Sequence, residues 1–248
     1  MTTKTSAPRA RAMRLTSEMV RRAFREEPDP GPGPGFTPAT EEESAALVRS
    51  LLTRPGAPGP DAPAYVFAYG SLIWKPDFEV TETLRGTLRG WHRSFCIKLT
   101  RWRGSPAKPG LMMALERGGS CVGLLLRLPE AAKDEILLTL VKREIPHREG
   151  ADMARWSQIE TAHGRLPALV FWTGPTGPQI EHGLPLPAVA HRLAHACGHG
   201  GSGAEYLFNT VRDLEAAGIR DRNLWRLQEL VAEEISAWPR PVTARAGG

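Results

Sequence analysis

Glu144 is the carboxylate whose position most invites chemistry. It ends a stretch, 129–144, whose apolar residues recur at helical spacing, and Pro146 follows. The spacing therefore predicts a helix C-terminus at Glu144. Unsatisfied carbonyls at such an end disfavour a carboxylate and raise its pKa, while Lys142 and Arg143 act the other way. A glutamate that titrates nearer neutrality can act as a general base. The plainer reading is an exposed helix-end acid paired with Arg148, and Glu149 and Asp152 are rival acids in the same loop.

A second stretch, Val66-Phe67-Ala68-Tyr69-Gly70-Ser71-Leu72-Ile73-Trp74, begins as an apolar, aromatic and β-branched run and breaks at a glycine. It reads as a buried strand ending in a sharp turn, whose backbone N–H groups could hold an oxyanion or a carboxylate. Ser71 lacks the G-x-S-x-G elbow of a nucleophile, which favours backbone positioning over attack. Tyr206 is one of three tyrosines and falls near the start of a predicted helix. A core tyrosine and a ligand-facing hydroxyl both fit. A third cluster, His191, His195, Cys197 and His199, puts two histidines at i, i+4 on one helical face, a spacing that can hold zinc. The alternative is a helix end where histidine complements the dipole. With no paired cysteines elsewhere, the expectation is no metal.

These residues need elements to position them. Residues 1–35 read as a mobile basic arm with a Pro/Gly spacer, apart from a short helical pattern at Ser17–Phe24. Thr40 followed by Glu43 has capping-box spacing at the head of an apolar stripe, Leu47, Val48, Leu51 and Leu52. The opening strand comes next, then a long strand to Thr100. Leu111–Glu116 and Cys121–Leu128 read as two strands joined by a hairpin turn at Arg117–Ser120. A helix to Glu144 follows, then strands near Trp156–Ala162 and Pro167–Trp172. Helices at about 186–197, 204–217 and 222–236 close the chain, and 241–248 reads as a flexible tail. Strands crowd the middle and helices the end. The expected class is α+β, a small mostly antiparallel barrel or sheet flanked by helices, in one domain over 36–240.

Composition narrows the function. The chain has 248 residues, 41% hydrophobic and 24% charged, enough to bury a core. No apolar run approaches the roughly 20 residues of a membrane span, and three unpaired-looking cysteines do not suggest a disulfide framework. A cytoplasmic location is expected. Residues 1–30 carry seven basic residues against four acidic ones, much of the net +5. The body is near neutral, which argues against a nucleic-acid-reading domain.

Four stretches taken in order resemble the ChaC family of γ-glutamylcyclotransferases, in its bacterial branch. They are Val66 to Trp74, Gly90-Trp91-His92-Arg93-Ser94-Phe95-Cys96, Lys142-Arg143-Glu144, and Ala204-Glu205-Tyr206-Leu207-Phe208. The likeness covers roughly residues 36–236. It implies cleavage of glutathione to 5-oxoproline and Cys-Gly within a small barrel flanked by helices. It implies Glu144 as general acid/base, the turn Tyr69, Gly70, Ser71, Leu72 and Ile73 as the γ-glutamyl site, and Tyr206 as a substrate contact. Ring closure by the substrate's own amine needs no cofactor and no metal. Two departures stand out: Ala68 replaces a common glycine, and the loop 145–156 is longer and lacks a tyrosine usual in the family. The resemblance therefore implies a pocket reshaped on that side. Other readings are a cyclotransferase for another γ-glutamyl compound, a silent γ-glutamyl-binding module, or a polyanion-binding protein acting through the basic arm.

Overall fold

The structure, a computed structural model, describes residues 12–33, 36–60 and 62–239. Its centre is a closed barrel of five strands, β1 (Tyr65–Ala68), β2 (Glu82–Leu99), β3 (Gly110–Arg127), β4 (Arg155–Thr161) and β5 (Gly164–Val170), in the order β1-β3-β2-β4-β5. All neighbours are antiparallel except β1 and β5, which close the barrel at Val66 and Leu169. The α+β expectation holds.

β1 is buried on both faces, which is why it reads as a continuous apolar run. Tyr65 and Phe67 join a core that continues from the barrel into α4 (Leu186–His195), α5 (Gly203–Ala216) and α6 (Arg222–Ser236). Val66 and Ala68 join a second core under α2 (Glu41–Thr53) and α3 (Lys133–Glu144). The head of α2 is fixed as its sequence dictates: Thr40 Oγ1 accepts from the Glu43 N–H, and the Glu43 carboxylate accepts from the Thr40 N–H. At the other end of the chain, β6 (Cys197–Gly198) and β7 (Gly201–Ser202) form a two-residue hairpin that leads into α5.

Two expectations are corrected. The turn expected at Arg117–Ser120 does not end a strand, and β3 runs unbroken for 18 residues against β2. Gly118 and Gly119, both at positive φ, sit opposite Gly90, also at positive φ, where the register shifts. Glycines there bend the ladder without breaking it. The second correction concerns the arm. Its described part is packed, with α1 (Ser17–Ala23) lying against α5 and α6. Leu15 and Ala23 are fully buried, and the N–H groups of Arg14 and Leu15 both donate to Gln228 Oε1 at 3.0 and 2.9 Å. Burying Leu15 alone contributes about 2 kcal/mol, enough to hold a short segment down. Its bases are also engaged. Arg14 pairs with Glu233, while Arg22 and Arg25 donate to the carbonyls of Trp238 and His195. Residues 1–11 and the expected tail at 241–248 lie outside the described residues.

Candidate active site

β1 ends at Ala68, and the chain turns through Gly70 into one turn of 3₁₀ helix, Ser71–Ile73. Only glycine fits at the pivot, because a Cβ on Gly70 would lie 2.8 Å from the Tyr206 hydroxyl oxygen. The turn closes on itself through Ile73 N–H to the Gly70 carbonyl at 3.0 Å and Lys75 N–H to the Ser71 carbonyl at 2.8 Å. Arg143, on the last turn of α3, clasps it from outside. Its guanidinium donates to the Lys75 carbonyl at 2.6 Å, to Asp77 at 2.8 Å and to Ser71 Oγ at 3.5 Å.

α3 delivers Glu144 to this turn. Its side chain is 13% exposed, and burial, the largest influence, raises its carboxyl above the ordinary 4.5. Arg143, 3.1 Å away, opposes that rise, and Asp77 adds to it. The partner is therefore not Arg148, which pairs with Glu43 at 2.8 Å. The rival acids fall away. Glu149 accepts the Thr37 N–H at 3.2 Å, is held below its ordinary value first by a backbone hydrogen bond, and does not line the cleft; nor does Asp152.

α5 supplies the third side. Ser202 caps that helix through Glu205 N–H, and Tyr206 projects from its first turn. The ring is wedged edge-on between Trp74 and Phe95, with centroids 5.9 and 5.8 Å away, and Arg103 lies 5.6 Å above it. Its hydroxyl meets the side chain and backbone of Ser71. Burial first, then the Glu144 charge, pushes it up to about 12. Tyr69 is also buried, donates its hydroxyl to the Phe171 carbonyl at 3.0 Å, and titrates well above its ordinary range through burial, Tyr206 and Glu144. Both tyrosines thus stay neutral donors, and both lie within the electrostatic reach of Glu144.

One cleft collects Tyr69, Gly70, Ser71, Leu72, Glu144 and Tyr206. Ile73 is not on its wall. The Ile73 side chain packs into the cores behind the turn, and its N–H is spent on Gly70. Sequence reasoning missed Phe67, Met112, Met113, Phe171 and Trp172, which complete the lining. Trp172 sits at φ 53°, unusual for a bulky residue, and its ring backs onto Gly150 of the loop that departs from the family pattern. No signal in the local sequence announces that conformation. Arg93 and Arg101 are not on this wall either. Arg93 is buried and donates to the carbonyls of Tyr69 and Val122 and to Asp221, and Arg101 pairs with Asp29.

The histidine cluster splits. Cys197 Sγ donates to the Arg25 carbonyl at 3.2 Å, and His199 lies against Trp102 and Asp29. His191 and His195 stay together and meet Glu234.

The closed barrel flanked by helices is a fold shared with solved γ-glutamyl cyclotransferases. It is similar to the crystal structure of a yeast γ-glutamyl cyclotransferase specific to glutathione, with a TM-score of 0.60 at 20% identity over 70% of this chain and 97% of that one. Residues 64–234 match the family described as ChaC-like protein, and the chain belongs to it. It is 38% identical over 187 residues to the glutathione-specific γ-glutamylcyclotransferase of Escherichia coli K12, covering 75% of this chain and 78% of that protein. It is 29% identical to γ-glutamylcyclotransferase 2-3 of Arabidopsis thaliana, covering 69% and 90%.

Proposed function

We propose that the chain is a γ-glutamylcyclotransferase that cleaves glutathione to 5-oxoproline and Cys-Gly. One observation supports it above the rest. Glu144, more than 70 residues beyond the Gly70 turn, is buried against it with a raised pKa and, among the described residues, only Arg143 as a charged partner.

The mechanism follows from these groups. The γ-glutamyl α-ammonium binds against Glu144, which takes its proton. The freed amine attacks the γ-carbonyl of its own chain, forming the ring C–N bond. N–H groups of the Gly70–Leu72 turn hold the developing oxyanion, with the Tyr206 hydroxyl as a further donor. Glu144 returns its proton to the departing nitrogen, the γ-amide bond breaks, and the second proton of the ring nitrogen passes through the same carboxylate to the released amine, so that 5-oxoproline keeps one N–H and Cys-Gly leaves as an ammonium. Atoms balance without water. Because nucleophile and carbonyl belong to one molecule, proximity supplies much of the acceleration and the protein adds proton transfer and charge stabilisation.

A silent binding module would have no need of a desolvated carboxylate at this point. A γ-glutamyl substrate other than glutathione is the nearer alternative, because Trp172 shapes the wall where the loop differs. The test is purified protein with glutathione and with γ-glutamyl dipeptides, following 5-oxoproline and the released amine. We expect stoichiometric 5-oxoproline and Cys-Gly from glutathione. Turnover of the dipeptides alone would move the substrate, and no release from any would remove the enzyme reading. A cytoplasmic location goes with the proposal, since Cys96, Cys121 and Cys197 are free and buried. Among the described residues no helix is long and apolar enough to cross a membrane.

A further inference from the structure

His191 and His195 lie one turn apart on α4, and Glu234 reaches them from the last turn of α6. His191 Nδ1 and His195 Nε2 both lie 3.0 Å from the same oxygen, Glu234 Oε1. The donor atoms of the three residues all fall within 4.8 Å of one another. An ion bound at about 2.0–2.1 Å by imidazole and carboxylate in a tetrahedron separates its donors by roughly 3.4 Å. The three atoms are thus already close to the edges of such a site, and a small outward movement of each makes room.

The supports are in place as well. The His195 ring is held between His191, at 4.5 Å, and Trp238, at 5.0 Å. Its carbonyl accepts from Arg25 at 2.5 Å. The three groups also form an ordinary ion-pair cluster as they stand. What separates a ligand set from a plain pair is that two neutral-capable imidazoles converge on one carboxylate oxygen from a second helix.

We propose that His191, His195 and Glu234 form a transition-metal site of the zinc class that clips α6 to α4. Two nitrogens and one carboxylate suit Zn²⁺, Co²⁺ or Ni²⁺ and discriminate against Mg²⁺, which prefers oxygen ligands and keeps its waters. Three protein ligands leave a position for water. None of the three residues lines the Glu144 cleft, so the ion acts on stability and not on turnover. α1 and the segment before it rest on α6, through Gln228 and Glu233, and are secured with it.

The test is titration of the tag-free full chain with Zn²⁺ and with Mg²⁺ by calorimetry, alongside thermal unfolding and the absorption spectrum with Co²⁺. We expect one equivalent of Zn²⁺, none of Mg²⁺, and a rise in Tm of about 5 °C at saturating Zn²⁺. The Co²⁺ spectrum should lack thiolate charge transfer. His191→Ala and Glu234→Gln should each weaken binding at least tenfold, while Cys197→Ser and His199→Ala should leave it unchanged. His191 is exposed, so its variant keeps the fold, to be checked by circular dichroism. Absence of saturable Zn²⁺ binding overturns the proposal, as does equal affinity in the His191 and Glu234 variants. Neither outcome depends on the enzyme activity.

Discussion

Two hollows in this molecule make opposite use of a glutamate. The cleft at Gly70 and Glu144 is narrow, with a free volume of about 30 Å³. A roomier hollow of about 670 Å³ lies between β2, β3, α4 and α6, lined in part by Arg93, Phe95, Glu116, Arg117, His182 and Leu227. Burial works to raise Glu116, but His182 and Ser94 bond to it and hold it below its ordinary value. In the narrow cleft burial prevails and Glu144 rises. Space alone therefore says little about chemistry. A carboxyl is raised where burial outweighs its cationic neighbour, and at Glu144 that neighbour, Arg143, is shared with Asp77 and the Lys75 carbonyl.

Exchanging the two glutamates for their amides tests that contrast most directly. Glu144→Gln should lower kcat/KM for glutathione by about 10²–10⁴, the usual worth of a positioned base. Glu116→Gln should change it less than about twofold. Equal losses would remove the distinction between the hollows. Gly70→Ala should cost about 10², since its Cβ would press on the Tyr206 hydroxyl and misplace the turn. Combining it with Tyr206→Phe, which removes the oxygen in the way, should recover part of that loss, and no recovery would place the damage elsewhere. Tyr206→Phe alone should raise KM or lower kcat by about five- to tenfold, one hydrogen bond's worth.

The smallest effects concern pH. Glu144 must be ionised to accept a proton, so activity should fall with falling pH through a limb above 4.5. A raised carboxyl favours the folded state only when protonated. That contribution is full below 4.5 and lost as pH rises through the folded value. Glu144→Gln, neutral at every pH, should therefore melt a few degrees higher than the parent at pH 7 and lose that advantage as the pH is lowered. A lower Tm at neutral pH would show that the Arg143 pair outweighs desolvation.

Much of this was legible in the chain. The Thr40 box, the apolar run of β1, the glycine pivot and the helix end at Glu144 are local patterns, and local patterns survive folding. The cause of the Glu144 shift was not. The helix end suggested the dipole, whereas burial is the larger influence, and burial depends on what α3 packs against. The same limit hid Trp172, whose left-handed backbone is imposed by its surroundings, and Glu234, 39 residues from the histidine it meets. It also turned Gly118-Gly119 into an apparent hairpin, because a bulge and a turn use the same residues. The segment before α1 looked free because its anchor, one leucine and two amides on Gln228, has no periodicity to read.

That anchor constrains where the chain can be shortened. Gln228 is fully buried, its Oε1 shared by two backbone N–H groups and its Nε2 without a partner among the described residues. A version beginning at Phe36 would leave the whole amide unsatisfied in an apolar trough vacated by Leu15 and Ala23. Such a trough would accept the same segment supplied as a free peptide. A peptide of residues 12–33 should therefore bind the trimmed protein and raise its Tm, whereas intact protein, which fills its own trough, should not bind it.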